Sequence, residues 1–356
     1  MTNEPGFNLL DEPWILALET NGREVELSIL DVFQRAVGLS RIGGEVPTQG
    51  FAIVRLLLAF LHRAVAGPQD REEWAELWRS DGLPMNDILE YAAKWHERFD
   101  LFHPEKPFFQ APGLRTGKAD IDGVKKIVAD VPDGEPLFTT RSPDNLARVD
   151  PAEAARWLVH VHAYDTAGIK SGAVGDPQVK GGRGYGSSVG WSGQIGGVLV
   201  EGPTLRDTLL LNLIAYQDAP DELRIGQSGD VPPWEREVDG PQWSERPPKG
   251  AIALYTWQTR RVRLIGGRDG VTGVVLCKGD RIEPQNRHLV EPHTTWRYSE
   301  PQTKKHKRTT YMPRLHNPER SIWRGLEAML PSVVSAARHK DGPPQFRSPG
   351  VLDWLS

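Results

Sequence analysis

Cysteine is almost missing from this chain of 356 residues, where Cys277 stands alone. A single thiol excludes an intramolecular disulfide and a zinc site built from several cysteines, and it suits a reducing compartment. Charge of one sign is missing too. The 43 Lys and Arg residues face 47 Asp and Glu, for a formal net charge of −4. A uniformly basic nucleic-acid binder is thereby excluded, and any such surface must be a local patch. Nor is there a long apolar run. The most apolar segment, Phe51 to Ala66, is interrupted by Arg55, His62 and Arg63 and falls short of the ~20 residues that span a bilayer. The start, Met1 to Gly6, has no basic residues and no apolar stretch of a signal peptide. No internal repeat or low-complexity tract is present. A soluble, cytoplasmic protein with no membrane partner is expected.

What is there reads as a mixture of helices and strands. Trp14 to Leu18 and Val25 to Leu27, on either side of Asn21-Gly22, predict a hairpin with a tight type I′ turn. From Gln49 to Ala66 the residues Phe51, Val54, Leu58, Leu61 and Val65 recur at helical spacing, and Gly67-Pro68 ends the pattern. Arg71 to Arg79 and Asn86 to Phe99 predict two more amphipathic helices, the second with Leu89, Ala92, Trp95 and Phe99 on one face. Asp150-Pro151-Ala152-Glu153 is a helix start, and that helix would bury Ala154, Trp157, Leu158 and Val161. Thr204 or Asp207 opens another through Leu213. Ala251 to Gln258, Arg261 to Ile265 and Val271 to Cys277 alternate like strands, and Asn317-Pro318-Glu319 begins a last helix stopped by Pro331. Residues 217–250, dense in Pro, Asp and Glu with Trp234 and Trp243 as the large apolar anchors, predict a surface excursion. Without a regular βαβ rhythm, one large mixed α+β domain over 1–356 is favoured over a doubly wound sheet.

Three segments could carry chemistry. His160, His162 and Asp165 invite a metal reading, but residues two apart diverge on a helix, and the zinc-protease spacing of i and i+4 is absent. Packing histidines are the better reading. The loop Lys180-Gly181-Gly182-Arg183-Gly184-Tyr185-Gly186-Ser187-Ser188 is no dinucleotide fingerprint, because Ser187 stands where a third glycine is needed. The phosphate loop's Gly-Lys-Ser/Thr is missing as well. A flexible surface loop is one reading. Alternatively, the clustered glycines let backbone approach a ligand closely, with Lys180, Arg183 and Lys170 suiting an anion and Tyr185 offering a stacking face. Third, the stretch from Trp296 to Arg324 holds Arg297, Lys304, Lys305, Lys307, Arg308, Arg314, Arg320 and Arg324 against only Glu300 and Glu319. Trp296, Tyr298, Tyr311 and Trp323 are interleaved. Such stretches are often solvated loops, yet cations release counterions from phosphates and aromatics stack on bases. No nucleophile elbow, metalloprotease helix or kinase motif set appears, so an enzyme is not expected, nor a cofactor or a metal.

The run Phe7-Asn8-Leu9-Leu10-Asp11-Glu12-Pro13-Trp14-Ile15 resembles the opening of the CasA family, the large subunit of type I-E CRISPR Cascade. Phe99 to Gln110, Gly168 to Pro177, the glycine loop with Trp191 and Gly193, and Glu291-Pro292-His293 with Trp296-Arg297 are similar to further family segments in the same order. The resemblance implies a non-catalytic subunit at the end of Cascade that bears the 5′ handle of the CRISPR RNA. There it would recognise the protospacer-adjacent motif (PAM) as duplex, help open the DNA and recruit the helicase-nuclease for antiviral defence. Implied partners are target DNA, the CRISPR RNA handle, CasB, CasC, CasD and that nuclease. The general logic is that protein reads a short PAM while base pairing reads the rest.

By the same resemblance, Gly181 to Gly186 match the loop that lies against the PAM minor groove, where a degenerate pattern suits backbone readout. A family lysine matches within Leu276 to Arg287, with Arg281 the first choice and Lys278 the second. Phe138, Thr139, Thr140 and Arg141, with the residues leading to Asp150, match a segment that contacts the RNA-handle side and the PAM. The family's glutamine-bearing wedge and C-terminal four-helix bundle are not found before Ser356. The resemblance therefore implies a shortened chain or proteolytic fragment that keeps its PAM-facing loops and loses strand separation. Two other readings stand beside this one: a metal-dependent nuclease on His160, His162 and Asp165, and an architectural subunit that docks RNA or protein through the basic stretch.

Overall fold

The computed structural model describes residues 6–118, 121–131, 146–220, 223–317, 329–330 and 342–356. The expected hairpin forms from β1 (Ile15–Glu19) and β2 (Glu24–Leu27), with Ile15 opposite Leu27. Its connection is longer than the expected two-residue turn. Glu19 donates its N–H to the Arg23 carbonyl at 2.8 Å, and of Thr20, Asn21 and Gly22 only Gly22 has a positive φ, +88°. That is the pattern of a three-residue loop closed by a left-handed glycine. Helix α1 (Ile29–Gln34), capped reciprocally by Ser28 and Asp31, leads to β3 (Leu39–Ile42), which pairs on the other side of β1.

Helix α2 (Pro47–Ala64) has the expected spacing but no solvent face over its middle: every residue from Ala52 to His62 is buried. A helix enclosed on all sides belongs at the centre of a domain. After α3 (Arg71–Arg79) comes α4 (Met85–Trp95), whose buried face is Ile88, Tyr91 and Ala92, with Leu89 49% exposed. The expected stripe through Leu89 is thus rotated. The α-helix gives way to a 3₁₀ turn, His96–Phe99, whose tighter period delivers Phe99 to the core from a different angle. Next follow β4 (Asp122–Gly123) and α5 (Pro151–Tyr164). The Asp150 carboxylate accepts the Glu153 N–H at 2.7 Å to cap α5 as its sequence predicts.

Strands β5 (Gly168–Ser171) and β6 (Arg183–Ser187) are followed by α6 (Leu205–Leu211), with Thr204 as its cap. The expected strand at Ala251 to Gln258 is instead helix α7 (Ala251–Tyr255). A buried carboxylate 21 residues upstream decides this. Asp230 accepts the N–H groups of Ile252 at 3.3 Å and Ala253 at 2.8 Å, a cap that no local pattern announces. Then come β7 (Arg260–Gly267), β8 (Gly270–Lys278), β9 (Trp296–Tyr298), α8 (Glu300–His306), β10 (Tyr311–Pro313), β11 (Phe346–Arg347) and α9 (Gly350–Leu355). The helix expected from Asn317 to Pro331 lies outside the described residues apart from Asn317, Met329 and Leu330.

Among the described residues, β4, β8, β5 and β6 are neighbours in that order, and β7 pairs with β8. Strand β5 runs parallel to β8, with Ser171 opposite Cys277, and antiparallel to β6, which forms the edge. The main core draws on Phe7 at one end of the chain and Trp354 at the other, with α2 in its middle. The described residues between 217 and 250 carry little regular structure, as expected, yet they penetrate further than their composition implies. Leu223, Ile225 and Asp230 are buried, and Trp234 lies 5.0 Å from the Phe99 ring. The architecture is a mixed α+β fold, and no repeating βαβ unit occurs among the described residues. Among the described residues, no helix is long and apolar enough to cross a membrane.

Candidate nucleic-acid interface

The glycine segment is a built hairpin and not a loose loop. Lys180 and Arg183 exchange both backbone hydrogen bonds at 3.1 Å. Between them Gly181 and Gly182 take φ of +56° and +73°, the pair of left-handed values that a two-residue hairpin turn needs and that glycine adopts at no steric cost. Lys180, Gly181, Gly182, Arg183, Tyr185 and Gly186 are exposed, whereas Gly184 faces inward. A Cβ at Gly184 would come within 3.0 Å of the Lys278 Cβ. The expected contact set therefore divides: five of the six residues from 181 to 186 present backbone or side chain outward, and Gly184 is a packing residue.

Lys278 holds this hairpin from beneath. Its side chain is almost fully buried, its ammonium donates to the Tyr185 carbonyl at 2.8 Å, and it lies 3.1 Å from the centre of the Trp243 ring. Burial lowers its pKa from the usual lysine value, helped by the charge of Arg281. Arg281 is partly exposed and bound to Glu283 at 2.5 Å, so of the two residues expected to reach a ligand, Arg281 is the one that meets solvent. Arg260 clamps the open end of the same hairpin. It donates to the carbonyls of Thr166 at 2.9 Å and Ser188 at 2.7 Å while paired with Asp165.

The basic stretch is also divided. Trp296 and Tyr311 are buried in a second core cluster with Trp191 and Ile195, which removes them as stacking surfaces. Alternation along β9 and β10 buries these aromatics and leaves Arg297 outside. Lys304 and Lys305 stand exposed on α8, with Lys304 bound to Glu300 at 2.6 Å, one turn away. Such an exposed pair holds its charges loosely.

His160 and His162 diverge, as their spacing implies. His160 Nε2 meets the Thr48 hydroxyl at 2.9 Å, and His162 Nε2 meets the Phe109 carbonyl at 2.9 Å. Burial depresses the pKa of each to about 4. Asp165 is taken by Arg260 and by Lys170, the latter at 2.6 Å. The three residues of the nuclease reading are thus each committed to a different partner. No cluster of three or more His, Cys, Asp or Glu suited to a metal occurs among the described residues.

Phe138, Thr139, Thr140 and Arg141 lie outside the described residues. Sequence reasoning missed Trp243 under Lys278, a contact about 35 positions apart that leaves no local pattern. It also missed Lys125 and Lys126, which follow β4 and line a cavity shared with Lys170.

A family model for the CRISPR-associated protein Cse1 matches residues 8–356. The CasA/Cse1 protein of Thermus thermophilus is 32% identical over 336 residues, which is 91% of this chain and 60% of that protein. Cse1 of Thermobifida fusca, solved by crystallography, superposes with a TM-score of 0.91 at 47% identity, over 100% of this chain and 67% of its own. A chain of a CRISPR RNA-guided surveillance complex shares the fold, with a TM-score of 0.75 at 22% identity over 98% of this chain and 68% of its own. The chain spans about 60% of the length of the curated relative.

Proposed function

The chain belongs to the Cse1 family, also called CasA, and from that premise we propose that it is a DNA-recognition subunit of a type I-E CRISPR RNA-guided surveillance complex. In this reading it binds the PAM duplex without cutting it. Its neighbours are CasB, CasC, CasD and the 5′ handle of the CRISPR RNA, and it recruits the helicase-nuclease in the cytoplasm. The observation that carries the reading is the hairpin. Exposed backbone at Gly181, Gly182 and Gly186 is flanked by Lys180, Arg183 and Tyr185, and Lys278 and Arg260 brace it below. Backbone that protrudes without side chains can enter a minor groove about 6 Å wide, while the flanking cations meet phosphates. Arg281 would add a side-chain contact, with Lys304 and Lys305 contributing general attraction. The fold shared with a chain of a surveillance complex fits this assignment.

The test is duplex binding by the assembled complex with and without a PAM. Gly182→Asn preserves the left-handed turn, which asparagine tolerates, and adds a side chain where contact is proposed. It should weaken binding to PAM-bearing DNA about tenfold or more, as expected for losing a specific groove contact of about 1–3 kcal/mol, and should leave PAM-free binding near its parent value. Equal loss on both DNAs would show that the hairpin reads no sequence.

A further inference from the structure

A cavity of about 440 Å³ lies beside the hairpin, between the last turns of α5, the 3₁₀ turn Val124–Lys126 that follows β4, and Lys170 of β5. Lys170 is opposite Gly184 in the β5–β6 register, so the cavity borders the proposed DNA-facing element. Its volume falls in the range of small-ligand sites, roughly 300–1,000 Å³, and is too small for a base pair with its backbone. The interior is apolar at Val161, Ile127 and Val128. It also has an aromatic wall, where the rings of His160 and Tyr164 stack at 5.0 Å and 20°. Burial keeps His160 neutral at about pH 7, so this wall offers a ring face without a charge.

Cations gather at the same place. Lys125 and Lys126 are exposed on the rim and have no carboxylate partner among the described residues. Lys170 shares the Asp165 carboxylate with Arg260. Its pKa is lowered, first by burial, while the hydrogen bond and charge of Asp165 oppose the shift and the charges of Arg260 and Lys126 add to it. Two carboxylates, Asp122 and Asp165, thus face three lysines along the lining, and one of the two is also committed to Arg260.

We propose that this cavity accepts a single unpaired nucleotide. Its base would lie among Val161, Ile127 and the His160–Tyr164 pair, and its phosphate on Lys125 and Lys126. Flipping a base out of a duplex carries a cost that is absent for a strand already single, so an unpaired RNA or DNA segment is the expected source. The proposal rests on reading the hairpin face as a nucleic-acid interface, and it adds a second kind of ligand to that face.

Two variants test it in the full chain. Ala129→Trp fills the cavity from an exposed lining position, where folding is least at risk, and Lys126→Glu reverses charge at the rim. The probes are short fluorescent single strands of RNA and of DNA, each with an abasic twin, and a PAM-bearing duplex. Both variants and both abasic twins should lower single-strand affinity at least about tenfold, as for loss of one stacked base. Duplex affinity of Ala129→Trp should stay within about twofold of the parent. Preference for the RNA strand identifies RNA as the source, preference for the DNA strand identifies a displaced DNA strand, and equal affinity supports recognition of base and phosphate alone. Abasic strands that bind as well as their parents, or unchanged single-strand affinity in Ala129→Trp, would overturn the proposal while leaving the hairpin reading intact. Absence of both duplex and single-strand binding would overturn the interface reading itself.

Discussion

Arg55 and Arg183 carry the same guanidinium and have opposite fates. Arg55, on α2, is 1% exposed and forms a two-pronged bond to Glu291 at 2.8 and 2.9 Å, with the Tyr255 ring 4.7 Å away. Trp191 and the His293 backbone complete the carboxylate's partners at 2.5 and 2.9 Å. Arg183 stands in solvent beside a two-glycine turn with no carboxylate partner among the described residues. Arg156, Arg260 and Arg261 follow Arg55 inward, each nearly buried and each bound to carboxylate or carbonyl oxygens. The difference teaches that the count of basic residues says little about charge available to a ligand. In this protein several arginines are structural, joining segments far apart in the chain, and a charge is open to a ligand only where, as at Lys125, Lys126 and Arg183, it stands exposed.

The sharpest way to break that contrast is at its buried end. Glu291→Leu leaves Arg55 charged and unpaired in the core and should cost about 3–5 kcal/mol of stability, read as a lower midpoint in urea. Adding Arg55→Met should restore much of that loss, because the stranded charge is then gone. If Glu291→Leu unfolds at the parent midpoint, the pair is not structural.

Acid should reveal the next largest effect. His62, His160 and His162 have pKa values depressed to about 4, and His293 to about 3, in every case first by burial. The unfolded chain binds protons at these sites near about pH 6.5 and the folded chain does not. Their stabilising contribution is therefore complete above about pH 6.5 and is lost as pH falls toward about 4. Each contributes up to about 1.4 kcal/mol per pH unit. Asp230, raised to about 6 by burial, acts in the opposite direction between its ordinary value and about pH 6, where stability falls as pH rises. The sum over the four histidines should prevail, so Tm measured from about pH 7 to about pH 4.5 should drop steeply. A flat profile would mean that these rings are hydrated.

Smaller effects belong to the exposed end. Lys278→Met keeps an apolar stem but removes the ammonium from Trp243 and the Tyr185 carbonyl, for an expected loss of about 1–2 kcal/mol. Hydrogen exchange should then speed up in β6 more than in β1. Gly182→Ala, which forces a left-handed φ on a side chain, should cost about 1 kcal/mol. Lys304→Ala should leave the unfolding midpoint at its parent value, because the pair it removes is fully in solvent. Should α8 meet phosphate in the assembled complex, the same variant lowers the salt slope of DNA binding by about one.

Legibility in the sequence followed the range of the interaction that decides each feature. The hairpin near the N-terminus, α2, the Asp150 cap of α5 and the strand character of β7 and β8 were readable because their determinants lie within a few residues of one another. The glycine hairpin was readable as a place where backbone is exposed, but which glycine packs inward was not. Gly184 is set apart from its neighbours by Lys278, more than about 90 positions away in the chain. The aromatics of the basic stretch misled for a related reason: composition marks a residue as able to stack on a base, and only packing shows that Trp296 and Tyr311 already have other surroundings.

Sequence by itself determined the class of fold, the unpaired state of Cys277, the divergence of His160 from His162 and the family to which the opening run points. These follow from composition, period and short motifs, which the chain carries locally. Tertiary structure alone decided that Ala251–Tyr255 is a helix, that Lys278 faces a tryptophan instead of solvent, and that Lys125, Lys126 and Lys170 surround one cavity. In each case the deciding partner is distant in sequence: the Asp230 carboxylate, the Trp243 ring and the far end of α5. Burial there changes what a charge or a backbone N–H must bind, and only the folded chain brings the partner within reach.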